Sequence, residues 1–167
     1  MTVAEQSKVA TEKTRDDEIV ITRIFDAPRS LVYKAWTDPK HLKEWWGPHG
    51  FTNPRVDVDL RPGGAWHIDM QSPDGTVYPN KGKYLEVVKN EKIVYTDEVN
   101  PADAVWGGNP PPSATHTVIF EDYQGKTRVI ATSKLASAAE RERMIKLGAL
   151  EGFGQMLERL EALLKVI

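Results

Sequence analysis

The spacing of apolar residues changes several times along this chain, and each change marks an element. Ile19-Val20-Ile21-Thr22-Arg23-Ile24-Phe25 is a β-branched run closed by Asp26-Ala27-Pro28, which predicts a strand beginning at Glu18. Pro28 suits a helix opening, and Leu31, Val32, Ala35 and Trp36 recur at intervals of three and four, the pattern of a short amphipathic helix. Asp38-Pro39 is a second helix start, with Asp38 as cap. Leu42, Trp45 and Trp46 share its inner face, and Gly47-Pro48 ends it.

Six further strands are predicted over Arg55–Leu60, Ala65–Gln71, Lys81–Lys89, Lys92–Glu98, His116–Tyr123 and Thr127–Leu135. The turn signals between them, Pro62-Gly63-Gly64, Pro73-Asp74-Gly75, Asn90-Glu91 and Gln124-Gly125, leave connections too short for parallel crossovers, so the sheet is read as an antiparallel meander. Asn100–Ser113, with Trp106 among prolines and glycines, interrupts it as a long irregular loop of the kind that forms lids or mobile segments. Beyond Leu135 the period becomes helical. Ile145, Ala149, Phe153, Met156, Leu157, Leu160 and Leu164 form one stripe on a single helix predicted from Ser137 to Lys165, roughly 40 Å long at about 1.5 Å per residue. Ser137 and Glu140 make a capping box at its start. Gly148 and Gly152 sit on this helix at a cost of about 1 kcal/mol each relative to Ala; they either let it pack closely on the sheet or leave volume for a ligand.

Large apolar surface is concentrated in Trp45-Trp46-Gly47-Pro48 and in Leu60-Arg61-Pro62-Gly63-Gly64-Ala65-Trp66. Such a cluster closes a core or lines a pocket.

At 167 residues the chain fits one domain with one core. Residues 1–16 are polar and aperiodic and are read as a flexible lead-in, with the domain at 17–167. With no cysteine there is no disulfide, thiol nucleophile or Cys-based zinc site. The N-terminus has neither the apolar segment of an export signal nor the bias of a transit peptide, so a cytoplasmic location is expected. No run of about 18 apolar residues occurs, which excludes a helical membrane span. Twenty-two basic against 24 acidic residues, a formal charge of −2, give no footprint for nucleic acid, although the two short helices mimic a helix-turn-helix by local signals.

The order of strand, two short helices, six antiparallel strands and a last helix is α+β. In that order, Arg23-Ile24-Phe25-Asp26-Ala27-Pro28 with Val32 and Ala35-Trp36, then Trp45-Trp46-Gly47-Pro48, Asp59-Leu60-Arg61-Pro62-Gly63-Gly64, Met70 with Pro73-Asp74-Gly75, Gly82-Lys83-Tyr84-Leu85-Glu86, Thr127, and Gly152-Phe153 with Leu160 resemble the activator-of-Hsp90-ATPase-homologue-1-like (AHSA1-like) family of the START/Bet v 1-like (SRPBCC) superfamily. The likeness spans about residues 18–165. It implies a helix-grip fold: about seven antiparallel strands curved around a long C-terminal helix, enclosing a hydrophobic cavity that superfamily members use for lipids, hormones or polyketide-like compounds. Phe153 stands where the family often has Trp, which keeps the aromatic surface and loses the indole donor.

Direct signals for catalysis are sparse. His41, His49, His67 and His116 show no metal-site spacing, and no nucleophile elbow, phosphate loop or dinucleotide fingerprint is present, so no catalytic residue, metal or cofactor is assigned. Asp57 and Asp59 share a strand face as ordinary solvated carboxylates. If Trp66, Ile68 and Met70 face inward, His67 and Asp69 face solvent, whereas His116 shares the inner face with Val118 and Phe120. The leading expectation is a pocket for a small hydrophobic molecule, in an unassigned stress-response or metabolite-handling role. Its lining is expected from Trp46, Phe51, Trp66, Met70, Phe120 and Phe153, with Tyr84, His116 and Glu151 as polar contacts. The alternatives are a co-chaperone-like interaction module, against which stands the lack of room for the chaperone activator's additional N-terminal domain, and a cyclase or hydrolase using His116 or Glu151 as general base. An exposed Trp106 would also suit a homodimer contact. No nucleic-acid or membrane partner is expected.

Overall fold

The computed structural model describes residues 10–12 and 15–167. Among these residues eight strands form one antiparallel sheet: β1 (Ala10–Glu12), β2 (Glu18–Phe25), β3 (Thr52–Val58), β4 (Ala65–Gln71), β5 (Val77–Val88), β6 (Lys92–Asp97), β7 (Ala114–Tyr123) and β8 (Lys126–Leu135). Their spatial order is β1-β2-β8-β7-β6-β5-β4-β3. Because β2 lies against the last strand and β3 forms the far edge, the chain must cross the sheet between them. Helices α1 (Arg29–Thr37) and α2 (Pro39–Trp45) make that crossing and roof one end of the curved sheet. Two further helices, α3 (Ala138–Lys146) and α4 (Ala149–Leu164), return across the concave face, α4 against α1 and α2.

Local signals account for much of this. Asp38 caps α2 by accepting the Lys40 N–H at 2.9 Å, and Ser137 caps α3 by accepting that of Glu140 at 3.2 Å. Three features differ from the sequence expectation. The helix expected to run unbroken from Ser137 to Lys165 is interrupted at Gly148, whose φ of +90° ends α3 in the left-handed conformation that glycine adopts without strain. The gripping helix is therefore the 16-residue α4 alone. Strand β5 starts at Val77, ahead of Lys81; Pro79 is tolerated there because β6 reaches only to Gly82, leaving that side of β5 unpaired. Finally, Ala10–Glu12 pairs with Val20–Thr22 as an edge strand inside the segment expected to be a lead-in, while residues 1–9, 13 and 14 of that segment lie outside the described residues.

Alternation on β2 turns Ile19, Ile21 and Phe25 into the core beneath α4, with Leu157, Leu160 and Leu164 opposite. Arg23 occupies the same inward register and its side chain is only 2% exposed. One guanidinium nitrogen, Nη2, donates to Glu161 of α4, while Nε and Nη1 are buried with no partner among the described residues. Replacing Glu161 by Leu should therefore leave a buried cation uncompensated and destabilise the fold by about 2 kcal/mol, below the full value for a buried pair because the Glu161 side chain is 43% exposed. Adding Arg23→Met should restore most of the loss, a coupling that urea denaturation of the single and double variants would measure.

Candidate functional site

The tryptophan cluster is built from the backbone outward. Trp45, fully buried, donates from Nε1 to the Ala35 carbonyl at 2.9 Å and packs edge-on against Trp36, ring centroids 4.8 Å apart. Trp46 follows it out of α2, where carbonyls at the helix end lack intrahelical partners. Asn53 Nδ2 donates to Lys43 O and Trp46 O, and the Arg159 guanidinium donates to the carbonyls of Glu44, Trp46, Gly47 and Pro48 at 2.8–3.0 Å. A cation at a helix C-terminus is favourable electrostatically, and burial holds its pKa below the usual arginine value. Arg159 thereby ties the Trp46 loop to α4.

Trp66 is aimed by a different device. The Pro62-Gly63-Gly64 turn is bound to β5, Gly63 N donating to Tyr84 O at 2.7 Å and Tyr84 N to Gly64 O at 2.9 Å. Trp66 is registered opposite Gly82, so its indole lies across the missing side chain and donates to Thr96 O on β6 at 3.1 Å. From there the rings continue: Trp46 to Trp66 at 6.4 Å, Trp66 to Tyr95 at 5.7 Å, and Tyr95 to the His116 imidazole at 4.9 Å.

This row of rings forms one wall of a cavity of about 220 Å³ between sheet and helices. Met70 extends the sheet wall, and Met144, Gly152, Phe153 and Met156 close the helix side. Its polar end consists of Asn80, Asp97 and His116. His116 is held on both sides, Nε2 to Asp97 Oδ2 and Nδ1 to Ser133 Oγ, each at 2.8 Å. Asp97 is fixed in turn by the Ala114 N–H, 2.6 Å from Oδ1. An inner hollow of only about 20 Å³ adjoins the cavity behind Trp46, Trp66 and Tyr95. Burial raises the pKa of the Tyr84 and Tyr95 phenols above the ordinary tyrosine value, so both stay neutral. A broader hollow of about 520 Å³ beyond the ends of β6–β8 is open and lacks aromatic walls.

Of the residues picked from the sequence, Trp46, Trp66, Met70, His116 and Phe153 converge on the cavity, and Tyr84 lines the inner hollow. Phe120 does not reach it: four residues along the strand from His116, it is buried against Tyr33 and Trp36 at 5.5 and 5.8 Å. Phe51 packs on Tyr78 at 6.2 Å and faces a separate surface hollow beside Arg159. Glu151 is exposed in the first turn of α4, where a carboxylate favours the helix dipole. His67 and Asp69 lie on the outer face as expected, bonded to each other at 2.7 Å. Trp106 is not the free ring supposed for a dimer contact; it folds onto Tyr78, centroids 5.9 Å apart, and its loop is tied to α3 by Arg143 donating to Pro110 O at 2.9 Å. Asp97 and Asn80 were not singled out by sequence reasoning. Their pairing with the cavity depends on strand register, which no local pattern encodes.

Among the described residues no group of three or more His, Cys, Asp or Glu is placed to hold a metal ion, and no helix is long and apolar enough to cross a membrane.

A curved antiparallel sheet gripping a C-terminal helix, with a cavity between them, defines a helix-grip protein. The chain belongs to the family described as activator of Hsp90 ATPase homolog 1-like protein, whose model matches residues 26–165. Similar solved structures include protein NE0264 from Nitrosomonas europaea, at 28% identity over 90% of this chain and 95% of that one, TM-score 0.78. Protein Ms6760 from Mycobacterium smegmatis is 28% identical over 96% and 97% of the two chains, TM-score 0.79. An AHSA1 protein from Silicibacter pomeroyi, 21% identical over 89% and 98%, shares the fold with a TM-score of 0.71. No curated protein matches the chain.

Proposed function

We propose that this protein binds a small, predominantly apolar ligand in the cavity between β4–β7 and the α3–α4 pair. The observation that carries this reading is the cavity of about 220 Å³ walled by Trp46, Trp66, Met70, Phe153 and Met156, with Asn80, Asp97 and His116 as the polar side chains among its described lining. For scale, an apolar cavity of about 150 Å³ accommodates benzene. Family membership and the START/Bet v 1-like fold support the same reading. The Asp97–His116–Ser133 chain has the connectivity of a hydrolytic triad, but Ser133 does not line the cavity, so the array serves to orient His116.

Gly152 allows a direct test. A Cβ added there meets nothing closer than Pro48 Cγ at 3.9 Å, so Gly152→Leu should retain or gain thermal stability while its side chain fills the cavity. One- and two-ring aromatic compounds should quench tryptophan fluorescence saturably in the natural protein and fail to do so in the variant. Absence of saturable quenching in the natural protein would refute the proposal, and quenching that survives in Gly152→Leu would place the ligand elsewhere.

A further inference from the structure

We infer that the ligand's polar group is a hydrogen-bond donor, a hydroxyl or an amine, received by Asp97, and that anionic ligands such as carboxylates are rejected. This rests on the cavity reading above and adds the chemical class of the ligand.

The inference comes from counting what the polar end has left to offer. His116 uses both ring nitrogens within the protein, one on Asp97 and one on Ser133, so in either protonation state neither is available without breaking that chain. The Trp66 indole N–H is committed to Thr96 O, and Asn80 Nδ2 donates to Tyr78 O at 3.0 Å. Asp97 is different. A carboxylate has about four lone-pair positions, and among the described residues two are filled, Oδ1 by the Ala114 N–H and Oδ2 by His116. The Asn80 amide oxygen adds further accepting capacity.

Charge decides against an anion. Among the described residues, no Lys or Arg lines the cavity. The nearest candidate by sequence on α3, Arg143, spends its guanidinium on Glu140 and on the Pro110 carbonyl. A ligand carboxylate would meet the Asp97 carboxylate, and His116, with both ring nitrogens engaged by Asp97 and Ser133, offers it no donor, so it would exchange water for a like charge and aromatic walls. A neutral hydroxyl or an amine would instead satisfy an acceptor that is already held in place by two protein donors.

Three probes of one shape separate the possibilities: naphthalene, naphthol and naphthoate, titrated at about pH 7 by tryptophan quenching and calorimetry, where naphthoate is ionised and naphthol neutral. Naphthol is expected to bind about tenfold tighter than naphthalene, and naphthoate at least about tenfold weaker. Asp97→Asn, which keeps the shape and removes the charge, should narrow the naphthol advantage and raise naphthoate affinity. Naphthoate binding as tightly as naphthalene or better would overturn the inference, as would ratios unchanged in Asp97→Asn. The ranking in the natural protein decides the matter even if that variant does not fold. Binding of none of the three would refute the cavity reading itself and this inference with it, whereas naphthalene binding with the wrong ranking overturns the inference alone.

Discussion

Trp45→Ala should lower the folding free energy by about 4 kcal/mol, seen as a large fall in the urea midpoint with little change in slope. Trp45 is completely buried, makes edge contacts with Trp36 at 4.8 Å and Trp46 at 5.4 Å, and satisfies the Ala35 carbonyl through Nε1. Truncation removes the ring contacts, opens a void where α1 meets α2, and leaves a buried carbonyl without its donor. Trp46→Ala should cost clearly less, because Trp46 is only partly buried and faces the cavity, yet it should abolish quenching by aromatic probes. Equal stability losses in the two variants would contradict this division of labour, in which adjacent tryptophans serve core and pocket separately.

That division was not readable from Trp45-Trp46 as a sequence, since both rings are apolar and both lie near the end of one helix. What was readable is whatever a few neighbouring residues decide. The β-branched run of β2, the Asp38-Pro39 start of α2 and the Ser137/Glu140 cap of α3 all follow from local chemistry and recur in the structure. The break at Gly148 was hidden because the apolar stripe stays in phase across it, so periodicity reports one helix where backbone geometry makes two. Pro79 concealed the first part of β5 because proline is an ordinary strand breaker unless one side is unpaired.

The site was legible to a smaller degree. Alternation on β4 and β7 turns Trp66, Met70 and His116 inward, but Phe120 obeys the same alternation and lies too far along its strand to reach the cavity. Asp97 meets His116 only because Tyr95 of β6 is registered opposite His116 of β7. Register of that kind is a property of the assembled sheet. The family resemblance supplied what periodicity does not, namely that the sheet curves and that the last helix crosses its concave face.

Gly82→Ala is expected to destabilise the protein by about 3 kcal/mol, at the upper end for one added methyl, because its neighbours cannot yield. A Cβ at this position would sit 1.7 Å from Thr96 O and 2.9 Å from Trp66 Nε1. The first of these is backbone of the adjacent strand, so relief requires β5 and β6 to part where they are hydrogen-bonded. The second is the indole whose bond to Thr96 O spans the glycine, an aromatic ring covering a gap that only a missing side chain leaves. The variant should therefore also release Trp66 from its wall, shift its emission to longer wavelength, flatten the near-ultraviolet dichroism and weaken probe binding. Gly63→Ala is the control: its φ of +81° makes alanine unfavourable by about 1 kcal/mol, but nothing lies within 4 Å of an added Cβ and Trp66 should be undisturbed. If Gly82→Ala were no more harmful than Gly63→Ala, and left the Trp66 signal intact, the close approach of the indole to β5 would not be what positions this wall of the cavity.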